Sequence, residues 1–212
     1  MNINLFTGML AGFALFFTVA AFSWRLRIYN RLTRPLDRAR PKGDVKTGVL
    51  YAYTAGMAPW AKESTRLHML AYLRGVAFHL GIFLGLGLLL ISPWVHLFPA
   101  VLRILLAAGS GAGAVLGLIG FAMRLVEHNL KAVSTKDDLF SVLLVSLFLT
   151  AATLWLLVSA ALPLFYITSV AMLVYAPFSK IRHCIYFAYS RLFYGKFIGS
   201  RAVLPHSQQV VR

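Results

Sequence analysis

The sequence predicts an all-α membrane protein, a bundle of five transmembrane helices. Of its 212 residues, 59% are hydrophobic and only 13% are charged, whereas roughly 25% are charged in a soluble domain. The apolar residues form runs long enough to cross about 30 Å of hydrocarbon. The Lys and Arg residues lie almost wholly in alternate connections between these runs. We expect one membrane-embedded domain over 1–212, with spans at about 4–24, 70–91, 97–123, 139–160 and 162–182.

Charged residues and prolines delimit the first three spans. The first run begins at Asn4 and ends at Trp24, before two arginines. The second and third runs are separated by a short turn that contains Pro93 and Pro99. The third run includes the segment AAGSGAGAVLG, and small residues at such spacing let a neighbouring helix approach closely.

The remaining chain contains two further spans and two amphipathic stretches. A charged connection over 124–138 precedes the fourth run, and a turn near Pro163 leads into the fifth. The stretches 47–62 and 186–197 mix aromatic, small and basic residues. This composition predicts helices that lie in the headgroup region, one in the first cytoplasmic connection and one in the tail.

The distribution of positive charge predicts the orientation. Eleven Lys and Arg residues lie in 24–75, three in 124–138 and six after residue 178, whereas the opposite connections hold only Arg103. The positive-inside rule therefore places the N-terminus outside and the C-terminus in the cytoplasm. It also accounts for the net charge of +15 without a nucleic-acid partner. The single cysteine, Cys184, excludes an internal disulfide and any cysteine-based metal cluster.

Two of the six histidines are candidate metal ligands. His79 lies inside the second span, and His183 follows the fifth span at its basic end. These spans run antiparallel, so the two imidazoles fall at similar depth in the inner leaflet, and such a pair can fill both axial positions of a haem iron. Alternatively, His79 bonds a backbone carbonyl within the bundle and His183 is merely interfacial. His68, in the basic connection, is interpreted as an interfacial or quinone-site residue.

Two motifs resemble those of a known family. FHLGI at Phe78–Ile82 and PFSKIRH at Pro177–His183 resemble the second- and fifth-helix motifs of the gamma subunit of respiratory nitrate reductase, a five-helix cytochrome b. The segment AVSTKDD before the fourth span also fits this family. The stretch MAPWAKESTRLH and the tail YSRLFYGKFIGSRAVLP are more similar to the gamma-like subunits of membrane redox complexes in sulfate-reducing and related anaerobes.

The resemblance implies a haem b ligated by His79 and His183. The nitrate reductase subunit carries a second histidine pair for an outer haem, and the corresponding positions here fall near Leu89 and Phe165. Neither residue can ligate iron, so the resemblance implies a single haem, in the inner leaflet. Arg74, Lys180 and Arg182 are placed as partners for the haem propionates, although ordinary anchoring at the membrane boundary explains each of them equally well.

The resemblance also implies a role in electron transfer. A haem near the cytoplasmic face passes electrons between a membrane quinone, such as menaquinone, and a cytoplasmic iron–sulfur subunit that resembles the catalytic subunit of heterodisulfide reductase. Such a chain lies in a bacterial or archaeal cytoplasmic membrane beside other membrane subunits of the complex. The quinone-site candidates on the inner side are His68, Tyr72, Lys62 and Glu63.

Two functions of other classes are the alternatives: a small transporter and a haem-free membrane anchor or assembly subunit. Transporter spans are expected to contain broken helices or buried charges. Here all six Asp and Glu residues lie in the inner connections, which argues against a proton or cation carrier. No arrangement of a nucleophile or paired acids indicates a stand-alone catalyst.

Overall fold

The chain is helical wherever its structure is described. A computed structural model describes residues 2–32, 39–61 and 63–204, and within them the regular elements are α-helices and short 3-10 turns, with no strand. This confirms the predicted all-α class. The helices are α1 Ile3–Arg31, α2 Val45–Tyr53, α3 Glu63–Leu67, α4 Met69–Ile91, α5 Ala100–Val126, α6 His128–Val133, α7 Lys136–Leu157, α8 Leu162–Tyr175 and α9 His183–Ser200.

Within the described residues, five helical segments are long and apolar enough to cross a membrane. Each corresponds to one predicted span, so the chain is a multi-pass membrane protein; its orientation stays a prediction. The segments are Ile3–Arg31, Met69–Leu97, Ala100–Val126, Lys136–Leu157 and Ser159–Phe178.

The chain divides into two compact units, which are described separately. Unit one comprises Met1–Trp24 and Leu73–Arg182, and unit two comprises Arg25–Tyr72 and His183–Arg212. The single domain expected from the sequence stays a prediction.

Unit one is built around α7, which packs against α5 on one side and α8 on another. Phe148 and Leu149 of α7 are completely buried. Phe165 of α8 is also completely buried, and its ring stacks on Trp155 at a centroid distance of 4.9 Å and on Phe148 at 5.5 Å. Stacked aromatic side chains therefore fill the interior between α7 and α8.

The small-residue face of α5 allows α4 to approach it closely, as the sequence predicts. A Cβ atom placed at Gly81 of α4 would lie 2.9 Å from the Cα atom of Gly113 in α5. A Cβ atom at Gly117 would lie 2.5 Å from the Phe78 ring. Side chains at these glycines would therefore force α4 and α5 apart, since real Cβ contacts are longer.

The N-terminus of α7 is fixed by two aspartates. Thr135 and Asp138 form a reciprocal capping box, so the helix begins at Lys136, three residues before the predicted start of the span. Asp138 also pairs with the Lys180 ammonium at 2.6 Å. Asp137 accepts hydrogen bonds from the backbone N–H of Lys180 and from the hydroxyl of Tyr175.

The fifth span is shorter as an α-helix than the sequence indicates. α8 ends at Tyr175, and the chain continues through 3-10 turns over Ala176–Phe178 and Lys180–Arg182. Pro177 accounts for this change, because proline has no N–H to donate and its ring clashes with the preceding helical turn.

Unit two is held together by α2 and α9, which pack closely along their length. A Cβ atom at Gly48 of α2 would lie 2.3 Å from the carbonyl oxygen of Gly195 and 2.5 Å from the Cα atom of Gly199. The sequence predicts a helix in each of these stretches but not their contact, and the predicted location of both helices in the headgroup region stays a prediction. The signal for their contact is the segment GKFIG in α9, whose glycines four residues apart lie on one helix face.

Candidate functional site

His79 lies on α4 in unit one, and one of its ring nitrogens is hydrogen-bonded within that helix. Its Nδ1 atom is 2.7 Å from the carbonyl oxygen of Gly75, one turn earlier in the same helix. A carbonyl oxygen can only accept, so Nδ1 carries the hydrogen. In the neutral ring, Nε2 is then the nitrogen with the lone pair. Metal-binding histidines in proteins are held in this way, with one ring nitrogen donating to a carbonyl and the other facing the metal.

The same hydrogen bond also suits the alternative interpretation of His79. A histidine without a metal inside a helical bundle is expected to satisfy one ring nitrogen with a backbone carbonyl, and the Gly75 carbonyl does this. The imidazole is exposed on α4, so it is accessible to a cofactor, to lipid or to another subunit.

His183 is the first residue of α9, and its side chain is exposed. It follows directly on the 3-10 turn Lys180–Arg182. His183 belongs to unit two and His79 to unit one, so each is described within its own unit.

Arg74 has a basic neighbour that the sequence analysis does not identify as functional. The guanidinium of Arg74 contacts the Met123 sulfur, and that of Arg124 donates to the Gly120 carbonyl at 2.9 Å. A methyl group at Gly120 would lie 3.5 Å from the Arg124 guanidinium and 3.8 Å from that of Arg74. Among the residues that the structure describes, no carboxylate pairs with either arginine. Two like charges beside one glycine favour the binding of an anion there.

The other two candidate propionate partners lie in the turn after α8. Lys180 is engaged with a protein carboxylate, because its Nζ atom pairs with Asp138 at 2.6 Å. Arg182 is exposed, and its backbone N–H donates to the Ser179 carbonyl. Lys180 would have to leave or share Asp138 in order to meet a propionate.

Leu89 and Phe165, near which the family resemblance would put a second histidine pair, are core residues. Leu89 is 8% exposed and Phe165 is fully buried in unit one. The Phe165 ring is stacked between Trp155 and Phe148. Protein side chains therefore pack the region around Phe165.

The quinone candidates lie in unit two, near the start of α4. Glu63 and His68 are exposed. The hydroxyl of Tyr72 donates to the carbonyl of Met57 at 2.8 Å, so its hydrogen is committed to the protein backbone. Lys62 lies outside the described residues.

The described part of the chain contains no group of three or more His, Cys, Asp or Glu side chains placed to hold a metal ion. A haem iron with two axial ligands does not require such a group, because the porphyrin supplies the remaining four donors. Comparisons with protein-family models, curated proteins and solved structures found no match to this chain.

Proposed function

We propose that this chain is a membrane-anchoring electron-transfer subunit with a single haem b. It passes electrons between the quinone pool and a cytoplasmic iron–sulfur partner, as part of a respiratory complex in a bacterial or archaeal cytoplasmic membrane. His79 and His183 would hold the haem iron. The observation that carries the proposal is the bond between His79 Nδ1 and the Gly75 carbonyl, added to the motif resemblance.

The donor set fits a haem iron. Nδ1 of His79 donates to Gly75 and orients the ring, and hydrogen bonding at this nitrogen raises the basicity of Nε2. His183 supplies the second imidazole, from a helix start beside a basic turn. Bound haem supplies one-electron chemistry, and two strong protein ligands suit it to electron transfer rather than to oxygen binding.

The arginines beside Gly120 fit the acidic edge of a haem. Arg74 lies five residues before His79 on α4, and Arg124 reaches the same glycine from α5. The two guanidinium groups would hold a haem propionate through charge-assisted hydrogen bonds. Arg124 is therefore proposed as a propionate partner together with Arg74. Lys180 is already paired with Asp138 and so links the turn after α8 to α7.

The packing around Phe165 supports a single haem. A second porphyrin near Phe165 would have to displace the stacked rings of Phe148 and Trp155. Removing buried aromatic side chains costs about 3–5 kcal/mol each. Quinone chemistry is proposed at the inner face, with His68, Tyr72, Lys62 and Glu63 as the candidates, because an outer site would lack a relay.

A haem-free membrane anchor is the second candidate function. It is favoured by the same bond at His79, since the Gly75 carbonyl satisfies the imidazole without any cofactor. The two candidate functions differ in whether Nε2 of His79 binds iron. A spectroscopic experiment on histidine variants distinguishes between them.

The test compares four proteins purified from membranes: the wild type, His79→Ala, His183→Ala and His128→Ala. His128 is exposed at the start of α6 and serves as the matched control. We expect the b-type absorbance of the reduced protein to be lost in the first two variants and retained in the third. We also expect His79→Gly to regain haem when imidazole is added. Retention of the wild-type haem content in His79→Ala, with helical content unchanged, would overturn the assignment.

A further inference from the structure

Unit two contains a cavity formed by one face of α1 and the start of α9. Its volume is about 140 Å³, below the roughly 300–1,000 Å³ of sites that enclose a drug-sized ligand, so it has room for a small polar group rather than a whole ligand. One cationic group, two phenol rings and two aliphatic side chains surround it. The lining residues are Arg25, Ile28, Tyr29, Leu32 and Tyr186.

The α1 residues of this cavity lie on a single helix face. Arg25, Ile28 and Tyr29 follow a spacing of i, i+3 and i+4, which aligns side chains along one side of an α-helix, and Leu32 comes directly after the end of α1. Arg27, only two residues from Arg25, is exposed and does not line the cavity.

The cavity is lined by one cationic side chain, Arg25, and by two tyrosine rings that are held by aromatic contacts. Among the described residues, Arg25 forms no ion pair and no side-chain hydrogen bond. The Tyr29 ring lies 6.0 Å from that of Tyr186 and, edge-on, 5.0 Å from that of Tyr189. The Tyr189 hydroxyl in turn accepts a hydrogen bond from the Asn30 amide at 3.2 Å. These contacts hold the phenol rings in place beside a guanidinium group that has no carboxylate partner among the described residues.

The length of α1 places this cavity at the level of the lipid headgroups. α1 has 29 residues, which corresponds to about 43 Å at 1.5 Å per residue, whereas the hydrocarbon layer is about 30 Å thick. Arg25 lies roughly 33 Å from the helix start, near Trp24. Trp, Tyr and Arg side chains together are typical of the boundary between hydrocarbon and water.

We propose that this cavity binds the headgroup of an anionic phospholipid. The Arg25 guanidinium pairs with the phosphodiester oxygens, because its planar fork matches phosphate geometry. Tyr29 and Tyr186 line the polar headgroup, and Ile28 and Leu32 meet the upper acyl chains. A neutral quinone would leave the arginine without a counter-charge. The site does not depend on haem, so its test is independent of the proposed electron-transfer function.

The experiment is a lipid titration of the delipidated full-length chain in detergent, followed by native mass spectrometry. The probes are dioleoylphosphatidylglycerol and the zwitterionic dioleoylphosphatidylcholine. We expect tighter binding of phosphatidylglycerol by the wild type and about a tenfold weaker affinity in Arg25→Gln, the loss typical of one charge-assisted hydrogen bond. Arg25→Lys should keep an intermediate affinity. Arg27→Gln, the matched control, should change the affinity by less than about twofold.

Equal losses in Arg25→Gln and Arg27→Gln would overturn the proposal, because they would indicate unspecific attraction between a basic protein and an anionic lipid. Unchanged binding in Arg25→Gln would overturn it as well. Displacement of the bound lipid by glycerol 3-phosphate at equal concentration would show a site for free phosphate instead. Haem content measured on the same samples should be equal in all variants, which separates this test from that of the cytochrome.

Discussion

At the scale of single residues, His79 is the side chain whose hydrogen bond determines its chemistry. In the other tautomer, Nε2 would carry the hydrogen and would have no lone pair to offer a metal. The donation from Nδ1 to the Gly75 carbonyl makes Nε2 the ring nitrogen that carries the lone pair in the neutral imidazole. The position of His79 in a span could be read from the sequence, because an ionisable group there is costly. The tautomer of His79 could not be read from the sequence, because it depends on which hydrogen bond the side-chain rotamer allows.

The arginine pair shows a second limit of sequence-based inference. Arg74 and Arg124 are fifty residues apart in the chain, and their approach at Gly120 depends on how α4 crosses α5. Nothing local to Arg124 distinguishes it from a residue that anchors a helix end at the membrane boundary. The pairing of Lys180 with Asp138 is likewise set by the turn after α8.

Asp44 is the residue for which the structure makes a pH-dependent prediction. It caps the N-terminus of α2 by accepting bonds from the backbone N–H groups of Lys46 and Thr47, and the Thr47 hydroxyl donates to it at 2.5 Å. These bonds, led by the one from the Thr47 side chain, lower the pKa of Asp44 below its ordinary 3.8. The cap is therefore complete above pH 3.8 and is lost as the pH falls through the lowered pKa.

The carboxyl ¹³C shift of Asp44, followed against pH in detergent micelles, tests this account. We expect a midpoint below 3.8 in the wild type. Thr47→Ala should move the midpoint back toward 3.8, and Lys46→Ala should move it less, because Lys46 contributes only a weak charge interaction beyond its backbone bond. A wild-type midpoint at or above 3.8 would refute the capping role.

At the scale of elements, the contact between α2 and α9 is the tightest consequence of glycine placement in the chain. Gly48, Gly195 and Gly199 let two backbones meet without intervening side chains. The same principle operates between α4 and α5 at Gly81 and Gly113. In the second case the small-residue run is long enough to predict the contact from the sequence, whereas a single GKFIG segment in a basic tail is a much weaker signal.

Gly48→Ala should therefore destabilise unit two. Its added methyl group would lie 2.3 Å from the Gly195 carbonyl oxygen, so the helices must separate at a cost of about 1–3 kcal/mol. The measurement is the free energy of unfolding in mixed micelles, with hydrogen exchange to locate the loss in α2 and α9. Gly87→Ala is the control, since nothing lies within 4 Å of its new methyl group and alanine favours a helix. A Gly48→Ala protein as stable as the wild type would contradict the close approach.

The helices that span the membrane were the most predictable elements, and their ends were the least. Length and apolarity alone identify all five spans. The start of α7 depends on the capping box of Thr135 and Asp138, and the end of α8 depends on Pro177. Both signals are visible in the sequence, but a span boundary drawn from hydropathy alone does not take either of them into account.

At the scale of the whole molecule, the chain combines five apolar spans with 21 Lys and Arg residues against six Asp and Glu. Such an excess of positive charge in alternate connections is typical of membrane proteins. The positive-inside rule predicts that the side on which these connections lie is the cytoplasm. A labelling experiment on Cys184, exposed near the start of α9, would read out the side on which this end of the chain lies.

The central claim is that this chain carries one haem b, and the haem-to-protein ratio of the purified wild type tests it most directly. Pyridine haemochrome absorbance gives the haem content, amino-acid analysis gives the protein content, and a reduced-minus-oxidised spectrum identifies the haem type. We predict a b-type alpha band and one haem per chain, because we propose His79 and His183 as one ligand pair, and the family resemblance implies a second pair only near Leu89 and Phe165, which cannot ligate iron. The absence of a b-type band, or a ratio of two, would contradict the account.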